Sequence, residues 1–139
     1  MKKGILLNSG ISTVISEMGH TDTLVIGDAG LPVPDGVRRI DLAVTAGVPD
    51  FATVLDAVLS ELQIEMVTIA DEIAVKNPKM FSVVKEAVDS AVYSQGKPVA
   101  VESVPHEIFK EMTKKAKAVI RTGETTPYSN IILHSGVVF

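Results

Sequence analysis

GHTDTLVIGDAGLP, residues 19–32, contains the first clear strand of this chain. Thr23 to Ile26 is a short apolar run that predicts a buried strand, with His20 before it and Asp28 after it. A strand rises roughly 3.3 Å per residue, so these two side chains lie near its opposite ends and need not touch. They can face one polar pocket if the chain curls or if subunits pack end to end. Because imidazole exchanges a proton near neutral pH, this segment is the first candidate for acid/base chemistry.

Strands and helices alternate along the rest of the chain. Further strands are predicted at residues 38–44, 63–70, 98–101, 118–121 and 130–133. Helices are predicted from Asn8 or Ser9 to Gly19, from Pro49 to Leu62, from Asn77-Pro78 to Gly96 and from His106 to about Ala116. This alternation is typical of an α/β layer architecture. We therefore expect a single compact layered domain over residues 1–139, with a central mixed, mostly parallel sheet flanked by helices.

Composition excludes several broad classes of protein. The 139 residues include 13 basic and 17 acidic side chains, for a formal net charge of −4, whereas a general nucleic-acid binder needs a basic surface. No segment approaches the roughly 20 apolar residues of a membrane span, and the apolar run after Lys3 is too short for a secretory signal. We therefore expect a cytoplasmic protein. Hydrophobic residues make up 46% of the chain, and we expect the surplus apolar surface to be buried in a homo-oligomer.

Metal and cofactor motifs are missing from the sequence. There is no cysteine, and no two of the 3 histidines stand at a spacing typical of metal ligands. Gly27-Asp28-Ala29-Gly30 lacks the spacing of a dinucleotide-binding motif, and neither a phosphate-binding loop nor a nucleophile elbow is found. We expect no metal and no organic cofactor.

Each candidate residue also has a purely structural interpretation. His20 can be a helix-end histidine that interacts with the dipole of the first helix, and Asp28 can cap a turn. His106 stands where a helix begins, and a neutral imidazole is favoured there because a cation opposes the helix dipole. His134, in or beside the last strand, is expected to be a packed histidine.

Tyr128-Ser129-Asn130 forms the second polar cluster of the sequence. A phenol, a hydroxyl and a carboxamide in succession offer the donors and acceptors that a pattern of sugar hydroxyls needs. The alternative is a turn built of ordinary turn residues. Loops at strand ends commonly carry function, so both interpretations stay open.

Several segments resemble one known family along the whole length of the chain. They are Met1-Lys2-Lys3-Gly4, Leu7-Asn8-Ser9, Gly19 to Thr23, Asp28 to Pro32, Arg39-Ile40-Asp41, Val119 to Glu124 and Pro127 to Leu133. On these motifs the chain is similar to the ribose pyranase and fucose mutarotase family of small cytoplasmic sugar-ring isomerases.

The resemblance implies a ribose-pyranase-like fold and the interconversion of β-D-ribopyranose and β-D-ribofuranose, which supplies furanose to ribokinase. It implies His20 as the catalytic acid/base. The sugar-binding residues that it implies are Asp28, His106, Tyr128, Ser129 and Asn130. It further implies a homo-oligomer, a decamer of two stacked pentameric rings, with sites at subunit boundaries and without metal or cofactor.

Ring exchange is compatible with these residue types. A proton leaves the anomeric hydroxyl and another reaches the ring oxygen, which opens the pyranose to the aldehyde. The C4 hydroxyl then attacks the carbonyl to close the furanose, so the protein supplies no nucleophile. One well-placed acid/base typically contributes about 10²–10⁴-fold to the rate.

Three alternatives stay open at this point. The chain could be an L-fucose (or related sugar) mutarotase, a non-catalytic ribose-binding accessory protein of a sugar transporter, or an inert structural ring. Chain length, the amino-terminal motifs and His106 favour ribose over fucose. Whether His20 acts as acid, base or both, and in which tautomer, is open as well.

Overall fold

Six strands form one sheet in the computed structural model, which describes residues 1–139. The strands are β1 Thr23–Gly27, β2 Arg38–Asp41, β3 Ile64–Ala70, β4 Ala100–Val104, β5 Ala118–Arg121 and β6 Ile131–Ser135. Their order across the sheet is β2-β5-β1-β6-β3-β4. β6 runs antiparallel to its neighbours β1 and β3, and every other pair is parallel. The predicted mixed, mostly parallel sheet is therefore confirmed.

The helices are α1 Ser9–Glu17, α2 Phe51–Leu59, α3 Ile73–Lys76, α4 Pro78–Gln95 and α5 His106–Thr113. Three of the five helices, α1, α2 and α4, begin at a side chain that caps them. The Asn8 side chain accepts the Ile11 N–H at 2.9 Å, and the Asn77 side chain accepts the Met80 N–H at 3.2 Å. Each cap satisfies a donor that the first turn of a helix leaves free.

Several boundaries differ from the prediction, including that of β4, which spans Ala100–Val104 rather than residues 98–101. α2 starts after Asp50 rather than at Pro49, because the Asp50 carboxylate accepts the Thr53 N–H at 2.7 Å and caps the helix. β2 ends at Asp41, since the chain beyond it turns back in a bridge between Thr45 and Val48. The short helix α3 was not predicted.

Helices cover the two faces of the sheet unequally. Leu24 and Ile26 of β1 belong to the larger apolar core, which α1, α2 and α4 complete. Val25 points to the other face because side chains alternate along a strand, and there it joins a smaller core around Phe109 of α5. No helix is both long and apolar enough to cross a membrane.

Strand direction decides which loops meet. β1, β3, β4 and β5 all end at one end of the sheet, hereafter the carboxyl end, and antiparallel β6 begins there. Residues that follow the parallel strands and residues that precede β6 are therefore brought together. Residues that precede β1 meet the last residues of β6 at the opposite, amino end, where the Thr21 N–H donates to the Ser135 carbonyl at 2.9 Å.

Candidate active site

Asp28 and Asn130 form the centre of a polar cluster at the carboxyl end. The Asp28 backbone N–H donates to Asn130 Oδ1 at 2.9 Å, and Asn130 Nδ2 donates to Asp28 Oδ2 at 3.1 Å. The first contact fixes the orientation of the Asn130 amide, because only its oxygen can accept that proton. Asp28 Oδ1 also accepts the Gly30 N–H at 2.9 Å, so the carboxylate is held in one position.

Burial changes the acidity of Asp28. It raises the pKa of the carboxyl above its ordinary value of 3.8, while hydrogen bonds from Gly30, Asn130 and Leu31 and the nearby His106 act in the opposite direction. Burial prevails because it removes water from the charged form. A partly dehydrated carboxylate of this kind is a strong acceptor for a ligand hydroxyl.

His106 lies beside Asp28 and presents an unpaired nitrogen. Its ring stacks on Phe109 at a centroid distance of 6.1 Å and meets the Tyr128 ring edge-on at 5.2 Å. Its Nδ1 is buried and has no hydrogen-bond partner in the protein. Its backbone N–H donates to the Glu72 carboxylate at 3.1 and 3.2 Å, which satisfies the start of α5. A buried nitrogen without a partner is costly unless a ligand satisfies it.

Tyr128 and Ser129 lie in a tightly held turn. Tyr128 has φ of 58°, in the left-handed region that non-glycine residues rarely adopt. Ser129 is fully buried, and its hydroxyl donates to the Thr126 carbonyl at 3.0 Å. Asn77 donates to the Pro127 carbonyl at 2.8 Å and to the Ser129 hydroxyl at 3.3 Å. The Ser129 side chain thus fixes the turn, while the Tyr128 ring lies beside His106.

Glu124 is a buried residue of this end that the sequence analysis did not single out. Its side chain accepts hydrogen bonds from the backbone N–H groups of Phe51, Thr125 and Thr126 and from the Thr126 hydroxyl. Burial raises the pKa of Glu124, but these hydrogen bonds together outweigh it and hold the pKa below the ordinary 4.5. Its signals in the sequence were a place between two apolar strand runs and inclusion in the Val119 to Glu124 segment.

His20 lies at the amino end, away from this cluster. Its Nε2 is 2.9 Å from Glu65 Oε2, and its side chain is 53% exposed. β1 separates it from Asp28, and the five residues of that strand alone span about 13 Å. Within one chain, the structure therefore brings together Asp28, His106, Tyr128, Ser129 and Asn130 and leaves His20 apart.

His134 also belongs to the amino end. Its Nε2 contacts the Thr68 hydroxyl at 2.9 Å, and that hydroxyl donates to Glu102 at 2.8 Å. Burial lowers the pKa of His134 below 6.5, against the raising effect of Glu102 and Glu65. Its Nε2 is hydrogen-bonded and the residue is partly buried, as expected of a packed histidine.

One sizeable cavity lies apart from the polar cluster. It measures about 460 Å³ and lies between α5 and the amino half of the sheet, lined by residues such as Thr23, Met112 and His134. None of the residues at the carboxyl end lines it. We place the candidate site at the polar cluster rather than in this cavity. The unpaired Nδ1 of His106 and the partly buried carboxylate of Asp28 call for a polar ligand, whereas the cavity offers mainly open apolar surface. No group of three or more His, Asp or Glu side chains is placed to hold a metal ion.

Fold and site together define a small α/β protein with carboxylate, amide, imidazole and phenol groups gathered at one end of the sheet, a set suited to polyhydroxylated ligands. The chain belongs to the RbsD / FucU transport protein family, whose model matches residues 1–138.

Relatives of known name match the chain over its full length. A D-ribose pyranase of Proteus mirabilis is 52% identical over 139 residues, and one of Photorhabdus laumondii is 50% identical, each with 100% of both chains covered. The structure of Bacillus subtilis RbsD complexed with D-ribose matches with a TM-score of 0.90 at 43% identity, over 100% of both chains. A fucose mutarotase in complex with L-fucose from Streptococcus pneumoniae matches with a TM-score of 0.77 at 25% identity, over 100% of both chains. The predicted family resemblance and fold are confirmed.

Proposed function

We propose that this chain catalyses the interconversion of β-D-ribopyranose and β-D-ribofuranose and so supplies furanose to ribokinase. The observation that carries the proposal is full-length identity of 50% and 52% to D-ribose pyranases. The polar cluster at the carboxyl end supports it, because it offers hydroxyl-binding groups without a nucleophile. The chain acts as one domain over residues 1–139.

Ribose is held at the carboxyl end of the sheet. Asp28 accepts hydrogen bonds from sugar hydroxyls, since a carboxylate has about four acceptor positions and its protein contacts leave some of them free. The unpartnered Nδ1 of His106 binds a further hydroxyl. Asn130 and the Tyr128 phenol complete the binding groups, and Ser129 holds the turn that presents them. Holding the open-chain sugar with its C4 hydroxyl near the carbonyl supplies the orientation that ring closure needs.

His20 exchanges the protons. It takes one from the anomeric hydroxyl and returns one to the ring oxygen, without metal or organic cofactor. Because His20 and Asp28 lie at opposite ends of β1 in one chain, the His20 that serves a given sugar comes from a second copy. The protein is then a homo-oligomer with sites at subunit boundaries, a cytoplasmic decamer of two pentameric rings. Exposed apolar side chains such as Ile5, Leu7 and Val44 offer surface for such contacts.

A second candidate function is L-fucose mutarotation. The matching fucose mutarotase binds its sugar in the same fold, but it is 25% identical to this chain, against 43% for the ribose-bound relative. A non-catalytic ribose-binding role would use the same groups without turnover. We therefore place ribose exchange first.

NMR saturation transfer between the pyranose and furanose anomeric signals of D-ribose tests the proposal. Faster exchange at unchanged equilibrium populations is the expected result. Faster anomer exchange of L-fucose, without faster exchange of D-ribose, would assign the chain to mutarotation instead. Binding of ribose without faster exchange would leave the non-catalytic ribose-binding role. His20→Ala is the matched inactive control.

A further inference from the structure

We propose that Glu65 is a positioning residue that sets the tautomer of His20, so that Nδ1 of His20 is the nitrogen that exchanges protons with the sugar. The inference rests on the proposed function and assigns the working atom. It begins from one contact, the 2.9 Å distance between His20 Nε2 and Glu65 Oε2.

The chemistry of that contact assigns the proton. An ionised carboxylate only accepts hydrogen bonds, so Nε2 of His20 must carry the hydrogen that lies between the two groups. In the neutral imidazole the lone pair is then on Nδ1. Nδ1 accepts the proton of the anomeric hydroxyl, and in the imidazolium form it donates a proton to the ring oxygen. Nε2–H remains bonded to Glu65 throughout, as a carboxylate orients the base in other acid/base sites.

Glu65 is placed for this contact by the backbone of β3. The pairing of β3 with β6 shifts register between Ile64 and Met66, and an irregularity of this kind re-aims the side chain within it. Gly136 lies directly against this point, since a Cβ added at Gly136 would stand 3.3 Å from the Glu65 Cβ and backbone nitrogen. The missing side chain at Gly136 therefore leaves room for Glu65 in this position.

His20 is held by its own loop. Thr21 adopts a left-handed conformation with φ of 69°, and its N–H donates to the Ser135 carbonyl at 2.9 Å. The Asp22 carboxylate accepts the Gly19 N–H at 2.9 Å, and Lys117 lies 3.4 Å from Asp22. Both partners of the His20–Glu65 contact are thus attached to ordered backbone, although their side chains are 53% and 44% exposed.

Kinetics of three variants test the assignment. In Glu65→Ala, exchange at saturating ribose is expected to fall about ten- to a hundredfold, a part of the general acid/base contribution, while KM stays within about twofold. Glu65→Gln keeps an oxygen that can accept from Nε2–H and is expected to retain more activity than Glu65→Ala. Glu61→Ala, which removes a surface carboxylate paired with Lys2 at 2.9 Å, is the control and should keep wild-type rates.

A spectroscopic readout separates positioning from general stability. Proton–nitrogen correlation spectra of 15N-histidine-labelled protein distinguish the two tautomers and should show His20 protonated at Nε2 in the wild type. Glu65→Ala should add the Nδ1–H form, with unchanged circular dichroism and oligomer size. An unchanged His20 spectrum or an unchanged kcat in Glu65→Ala would each overturn the inference while ribose exchange by the wild type stands. A wild type without ribose exchange would instead overturn the proposed function, and the catalytic role of Nδ1 with it.

Discussion

Mixing two inactive variants of this chain is expected to restore ribose exchange. His20→Ala removes the proposed acid/base at the amino end of the sheet, and Asp28→Ala removes the carboxylate at the carboxyl end. In one chain the five residues of β1 alone separate these positions by about 13 Å. A sugar that contacts both groups must therefore lie between two copies, each of which supplies one of them.

The expected rate follows from the fraction of complete sites in the mixed oligomers. In a one-to-one random mixture, a complete site needs Asp28 from one copy and His20 from its neighbour. Each condition is met at about half of the positions, so about one quarter of the sites are complete, whatever the number of subunits in a cyclic assembly. The exchange rate per chain should thus reach about one quarter of the wild-type rate, whereas either variant alone should show only the uncatalysed rate.

The assay is saturation transfer on D-ribose after the two variants are unfolded together and refolded. Native mass spectrometry verifies that mixed oligomers have formed. Wild type mixed with His20→Ala is the control and should give about half of the wild-type rate, because every Asp28 is then intact. Mixed oligomers that stay at the baseline would refute a site shared between copies.

Further predictions concern the loops that hold the candidate site. Glu124→Gln should lower the free energy of unfolding at neutral pH by about 2 kcal/mol, as several hydrogen bonds to a charged group are weakened. Because the folded-state pKa of Glu124 lies below 4.5, its stabilisation is complete above that pH and is lost as pH falls through the folded-state value. The difference between variant and wild type in urea unfolding should therefore shrink under acid; a constant difference would contradict this. Asn77→Asp keeps the oxygen that caps α4 but loses the donor to the Pro127 carbonyl, so ribose KM should rise while the melting temperature changes little. An unchanged ribose KM in Asn77→Asp would argue against a role of that donor. Gly123→Ala should destabilise the fold strongly, because the added Cβ would collide with the backbone of Val48; a melting temperature within about 2 °C of wild type would show that this approach can relax.

Local features of the chain were predictable because their causes are local. The caps at Asn8 and Asn77 act within three residues, and Gly96 ends α4 in a left-handed conformation with φ of 67°, as its position after the apolar pattern indicated. The strand at Ala118–Arg121 matches its predicted bounds, since a short apolar run between polar residues needs no distant partner to be recognised. Failures of the prediction also have local causes, as at Asp50, where a capping carboxylate displaced the expected helix start from Pro49.

The order of the strands in the sheet could not be predicted from local features of the sequence. β1 lies between β5 and β6, so residues far apart in the chain become neighbours. Asp28 and Asn130 are separated by 102 positions and share two hydrogen bonds, and His20 reaches Glu65 across 45 positions. Neither pairing leaves a periodic or spaced pattern in the sequence.

Sequence alone was enough to predict the α/β class, the main helices and strands, the family resemblance and the residue types suited to sugar hydroxyls. These depend on backbone preferences and side-chain chemistry, which act over a few residues. The three-dimensional fold was needed to show that Asp28, His106, Tyr128 and Asn130 gather at one end of the sheet while His20 lies at the other with Glu65. The reason is that strand order and direction are set by the burial of the whole sheet, so the sites at its ends are a property of the assembled fold.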